Sequence, residues 1–203
     1  MDHWDPALIN PLAARRPVIL LDNAGVGSSG GEIPTTYAGW AQNVVDLVAA
    51  LRLARVDLFG FSMGGCAAQM VALNAPPGLV RRLVLAGTSP SIGPGVKQYR
   101  TREELAAFAQ LSAAGTDEEQ RAGFLRWFFS ATPRSQEAGA RAWARIAGGR
   151  PGRARTGHVA AAGVKRQGIA FAKFMDPKQA GDASYERFGE IQIPVLIAGG
   201  KFI

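Results

Sequence analysis

One serine in this chain has neighbours that could make it a nucleophile. Gly60-Phe61-Ser62-Met63-Gly64 has the spacing Gly-x-Ser-x-Gly, with the apolar run Val56-Asp57-Leu58-Phe59 before it and the small-residue run Gly65-Cys66-Ala67-Ala68 after it. A strand that turns straight into a helix brings two backbones close together, so glycine is needed where they cross. The residue at the bend is forced into a strained, exposed conformation. Ser62 then stands at a helix N-terminus, whose dipole and unpaired N–H groups favour a developing oxyanion, and the Met63 backbone N–H is the donor best placed to receive it. The chemistry this implies is covalent acyl transfer.

A serine hydroxyl is a weak nucleophile near neutral pH and needs a base within hydrogen-bond reach, usually oriented by a carboxylate. The chain offers two histidines, His3 in Met1-Asp2-His3-Trp4-Asp5-Pro6 and His158 in Thr156-Gly157-His158-Val159. His3 reads as a loop residue and His158 as a residue of an exposed helix, so neither is assigned as the base. A second glycine pattern, Gly25-Val26-Gly27-Ser28-Ser29-Gly30, has the Gly-x-Gly-x-x-Gly spacing of a dinucleotide-binding turn. Such a turn opens directly into a helix, whereas this one continues through Gly31-Glu32-Ile33-Pro34, and Phe59-Gly60-Phe61 stands where a ribose-binding acid belongs. No cofactor and no metal are therefore expected. The single cysteine, Cys66, cannot form an internal disulfide and falls where the helix after Ser62 packs, which predicts a buried, inert thiol.

The elements that must position Ser62 follow from periodicity. Residues 18–21 and 56–59 read as strands, as do residues 83–86 and 195–198. The helix after residue 34 carries Tyr37, Trp40, Val44, Leu47, Val48 and Leu51 on one face, with Thr35 or Thr36 as its cap. The helix after Ser62 runs to about Asn74 and stops before Pro76-Pro77-Gly78. Strand and helix alternate, which predicts a parallel sheet in an α/β domain. From Thr88 onward the pattern becomes helical, with capping boxes at Thr101-Arg102-Glu103-Glu104 and Thr116-Asp117-Glu118-Glu119 and further helices near residues 136–146 and 157–174.

With Ser62 in its glycine-flanked bend, the chain resembles the α/β-hydrolase family, in particular its esterase, lipase and peroxidase-like branch with a short helical cap. The segment from Arg16 to Ser29, with Asp22-Asn23-Ala24-Gly25-Val26-Gly27-Ser28-Ser29 at its end, is similar to the family's fourth strand and the turn after it. Residues 82–88 resemble the sixth strand and residues 193–200 the seventh. The resemblance implies a parallel sheet with an inserted all-helical cap: a hydrolase core over residues 1–95, the cap over 96–187 and a seventh-strand segment over 188–203. It also implies the order Ser, then Asp or Glu, then His. The acid and the histidine are looked for after the seventh strand, where this sequence reads Lys201-Phe202-Ile203, and Ala86-Gly87-Thr88-Ser89-Pro90-Ser91 holds no carboxylate. The family's third strand and the second oxyanion donor would precede Met1. The sheet is thus expected to be incomplete, with residues 18–21 either paired directly to residues 56–59 or left without a ladder partner. By resemblance the function is that of a serine hydrolase acting on small ester or acyl substrates, inactive or a fragment in this chain. A non-catalytic small-ligand binding protein derived from a hydrolase is the alternative.

Composition removes other classes. The 203 residues are 47% hydrophobic and 19% charged, which suits one well-filled core and argues against wholesale disorder. The net charge of +7 permits a nucleic-acid partner in principle, but the arginines are scattered and no aromatics interleave with them, so none is expected. No apolar stretch approaches a membrane span and no signal-like N-terminus is present, so no membrane association and a cytoplasmic location are expected.

Overall fold

The computed structural model describes residues 3–96, 102–148 and 159–200. Its parallel sheet has three strands in the order β1-β2-β3: β1 (Val56–Phe61), β2 (Val80–Ala86) and β3 (Val195–Ala198). Phe61 pairs with Ala86, and Ala86 with Ala198, so all three strands end at the same level. Alternation sets the faces. Leu58 and Gly60 point one way and are covered, whereas Asp57, Phe59 and Phe61 point the other way and are exposed.

The chain divides into two units. The one that holds the sheet takes its described residues from Asn23–Gly25, Gly30–Lys97 and Ala162–Ile203. Here α3 (Met63–Asn74) packs on β1 and β2, and α2 (Tyr37–Ala50) packs on α3. Seven consecutive residues of α3, Gly65 to Val71, are buried, as befits a helix enclosed on all sides. Ala68 meets Leu83 and Leu85 of β2, with Leu58, Ala72 and Ile193 around them. Thr36 caps α2 by accepting from the Gly39 N–H, and Tyr37, Trp40, Ala41 and Val48 form its buried stripe. Val44 and Leu47 are half-buried, but Leu51, placed on that face by periodicity, is exposed as the C-cap. The Tyr37 ring stands edge-on to Phe174 at 5.0 Å, near the end of α7 (Ala161–Phe174).

The other unit takes its described residues from Met1–Asp22, Val26–Ser29 and Gln98–Ala161. It contains α1 (Pro6–Ala13), α4 (Arg102–Ala113), α5 (Asp117–Phe128) and α6 (Pro133–Ala147). Thr116 and Glu119 form the expected capping box of α5. Phe124 gathers Phe128, Phe129 and Trp143 around it, and an Asp5–Arg145 pair joins the start of α1 to α6. Thr101, the expected cap of α4, lies outside the described residues.

Residues 18–21, expected as a strand that either pairs with residues 56–59 or lacks a ladder partner, are not paired with β1 and belong to no ladder. The apolar run suits a strand, but a strand exists only through a neighbour that exchanges hydrogen bonds with it. Without such a neighbour, Ile19 is 53% exposed.

Candidate functional site

Ser62 occupies the single residue between the end of β1 and the start of α3, at φ 52 and ψ −124. Apart from Arg52 it is the only non-glycine at positive φ among the described residues. A backbone of this kind costs roughly 1–3 kcal/mol and survives only where its surroundings over-determine it. Those surroundings can be read atom by atom. The Ser62 N–H donates to Ala86 O at 3.0 Å, continuing the β1-β2 ladder by one residue. The Ser62 carbonyl accepts from the Gly65 N–H at 2.8 Å and the Cys66 N–H at 3.3 Å, which starts the helix. It also accepts from the Thr88 hydroxyl at 2.8 Å.

The crossing of strand and helix depends on two bare backbones. A Cβ on Gly60 would lie 2.6 Å from Gly64 O and 2.7 Å from both the Gly65 Cα and the Ala68 Cβ. A Cβ on Gly65 would lie 2.5 Å from the Thr88 Cβ. Gly64, the last glycine of the motif, is different, because nothing stands within 4 Å of where its Cβ would be. With Gly65 and Cys66 turned onto Ser62 O, the Met63 and Gly64 N–H groups are the first-turn donors that no described carbonyl engages. They give the helix N-terminus its capacity to accept a negative charge.

The loop after β2 is tied down from beneath. The Gln69 side chain donates to Ser89 O at 3.0 Å and accepts from the Ser184 hydroxyl at 2.6 Å. The Ser91 hydroxyl accepts from the Ser184 N–H at 2.9 Å and the Tyr185 N–H at 2.8 Å, and the Ser184 hydroxyl accepts from the Ser91 N–H at 3.2 Å. Gln69, Ser91 and Ser184 are almost wholly buried, so these bonds are made without competition from water. Cys66 lies beside this loop with its sulfur 3.6 Å from the Thr88 hydroxyl. Burial pushes its thiol above the ordinary range, opposed by the Thr88 contact. The expected burial of Cys66 is observed.

His3 is exposed and belongs to the unit without the sheet. His158 lies outside the described residues. Residues 25–30 form turns that run out into irregular backbone, and helix begins only at Tyr37, so the turn has no helix N-terminus to offer a pyrophosphate. Among the described residues, no three or more His, Cys, Asp or Glu side chains gather in a way that could hold a metal ion. Thr88 and Gln69 are the residues that sequence reasoning missed. Their one sequence signal is the polar run Thr88-Ser89-Pro90-Ser91 at the end of a strand.

A family model described as alpha/beta hydrolase fold matches residues 1–201. A protein of Rhizobium rhizogenes named "Putative carbamate hydrolase RutD" is 33% identical over 85 residues, which is 41% of this chain and 32% of that protein. Its namesake in Caulobacter vibrioides is 35% identical over 88 residues, 42% of this chain and 32% of the relative. These matches therefore span about a third of the relatives' length. Among solved structures, an alpha/beta hydrolase fold protein from Chitinophaga pinensis superposes with a TM-score of 0.68 at 22% identity, covering 98% of this chain and 76% of that one. A hydrolase from Pseudomonas aeruginosa gives 0.55 at 27% identity, covering 96% and 65%.

Proposed function

This chain belongs to the α/β-hydrolase fold family, and on that premise we propose that Ser62 is the nucleophile of a hydrolase acting on small ester or acyl substrates. One observation carries the reading: Ser62 is held at φ 52 and ψ −124 between β1 and α3, over a strand-helix crossing that Gly60 and Gly65 alone permit. Strain of this kind is kept where it serves a site. In the proposed step the Ser62 Oγ attacks the substrate carbonyl carbon, the Oγ proton passes to a base, and the carbonyl oxygen becomes an oxyanion that accepts from the Met63 N–H. Collapse then expels the alcohol or amine, and water releases the acyl group. No base or acid is assigned in this chain. The names of the curated relatives favour carbamates within the acyl class, since a carbamate carbonyl presents the same oxygen to the same donor. The cap of this proposal is the helical segment of residues 96–187, which holds α4, α5, α6 and α7, and the proposed location is cytoplasmic. No described helix is long and apolar enough to cross a membrane.

The test is release of nitrophenol from p-nitrophenyl acetate by the wild-type chain and by Ser62→Ala, alongside labelling by a fluorophosphonate. Because no base or acid is assigned, turnover and labelling are expected to be slow, and both to vanish in Ser62→Ala. Equal release from both proteins, with saturable binding of the ester, would leave a non-catalytic ligand-binding protein as the better reading.

A further inference from the structure

The Thr88 hydroxyl bonds to the one carbonyl whose direction decides where the neighbouring N–H points. In a planar trans peptide the C=O and N–H of one unit point in opposite directions. Ser62 O and the Met63 N–H belong to one such unit, so whatever holds the oxygen aims the hydrogen. Helix formation alone supplies the Gly65 and Cys66 N–H groups to this oxygen. Thr88 adds a third donor from outside the helix, at 2.8 Å, and a carbonyl oxygen has two lone pairs to share among the three. The contact is built on both sides. Thr88 lies directly against the bare Gly65 backbone, and the next residue, Ser89, is anchored by the buried Gln69 amide.

From this geometry we infer that Thr88 is a positioning residue for the oxyanion donor, which fixes the Ser62-Met63 peptide plane so that the Met63 N–H faces the charge that develops on the substrate. The inference rests on the reading of Ser62 as nucleophile. The buried Gln69-Ser91-Ser184 network keeps the Thr88 loop in place as the substrate changes shape. The effect belongs to the transition state, because the full negative charge is absent from the bound ester.

Thr88→Val removes the hydroxyl and keeps the shape, whereas Thr88→Ser keeps the hydroxyl. Outright loss of an oxyanion donor lowers turnover by about 100-fold to 1000-fold, so a donor that is only misdirected should cost about 10-fold to 100-fold. With p-nitrophenyl acetate, Thr88→Val is expected to lose kcat by that factor with KM unchanged, and Thr88→Ser to restore it. A purely structural role would instead lower the amount of folded protein and leave kcat per folded molecule intact, or move KM with it. Unchanged kcat in Thr88→Val, against turnover that depends on Ser62, overturns the inference. Amide hydrogen exchange at Gly65 and Cys66 is a second readout that needs no activity. It should accelerate in Thr88→Val and return in Thr88→Ser, and unchanged exchange also overturns the inference. If turnover proves independent of Ser62 while exchange responds as expected, the nucleophile reading fails and the peptide-aiming role of Thr88 stands. Should Thr88→Val not fold, Thr88→Ala takes its place in both measurements.

Discussion

Ser62 at φ 52 holds a conformation that glycine would accept without strain. Ser62→Gly should therefore relieve a strain of about 1–3 kcal/mol, less about 0.5–1 kcal/mol for the greater freedom of unfolded glycine. The expected net gain is about 1 kcal/mol, read as a rise in Tm of about 2–4 °C for a domain of this size, in a protein that no longer reacts with fluorophosphonate. No rise in Tm would mean that the surroundings bear no strain. The glycines of the motif should separate in the same assay. Gly60→Ala places a methyl on the Gly64 carbonyl and the Gly65 backbone, neither of which can swing aside, and should cost about 1–3 kcal/mol or more. Gly64→Ala meets open space at a helical position and should be neutral or stabilising, by up to about 1 kcal/mol. If both substitutions had the same effect on Tm, the crossing geometry would not be the cause.

Among the elements, α5 shows how local chemistry suffices to start a helix. Thr116 accepts from the Glu119 N–H, and the Glu119 carboxylate accepts from the Thr116 and Gly115 N–H groups. Thr116→Ala should lower stability by about 1 kcal/mol, with Thr116→Ser close to wild type, measured by urea unfolding. The loop after β2 depends on contacts distant in sequence. Replacing Gln69 by Leu leaves the buried Ser184 hydroxyl without its acceptor and Ser89 O without its amide donor, with only the weaker Cys66 thiol beside it, which should cost about 1–3 kcal/mol. Residues 18–21 illustrate the limit of local reading. Val18-Ile19-Leu20-Leu21 has every propensity of a strand, and propensity is overruled when no partner stands beside it.

At the scale of the whole molecule, acid should weaken the protein through a few paired carboxylates. The Arg145 guanidinium holds the Asp5 carboxyl below the usual range, the Arg187 guanidinium does the same for Glu190, and the Lys178 backbone N–H for Asp176. A depressed carboxyl contributes stability that is complete above its unfolded value, near pH 4, and is lost as pH falls through the folded value. Tm should accordingly be flat from about pH 5 to 7 and decline below about pH 4. Arg145→Ala should make that decline shallower, and an equal slope would remove Asp5 from the account. The sheet also leaves apolar surface open, with Leu196 61% and Ile197 75% exposed on β3. Uncovered strands of this kind promote association, so Ile197→Lys should raise the concentration at which the protein stays monomeric in light scattering.

By itself the sequence determined what depends on neighbours along the chain. The strand-turn-helix around Ser62, a helix cap at Thr35 or Thr36, the cap at Thr116 and the burial of Cys66 follow from residue types and spacings within about a dozen positions. Family membership was legible for the same reason, since the motif around Ser62 is contiguous. What the tertiary structure decided depends on register and on partners. Phe61 pairs with Ala86, and only that pairing brings Thr88 from 26 residues away onto the Ser62 carbonyl. The fold likewise joins Gln69 to Ser184 across 115 residues and leaves residues 18–21 outside any ladder. A hydrogen bond between distant residues leaves no periodicity in the sequence, because its two ends are matched by the fold and not by their spacing.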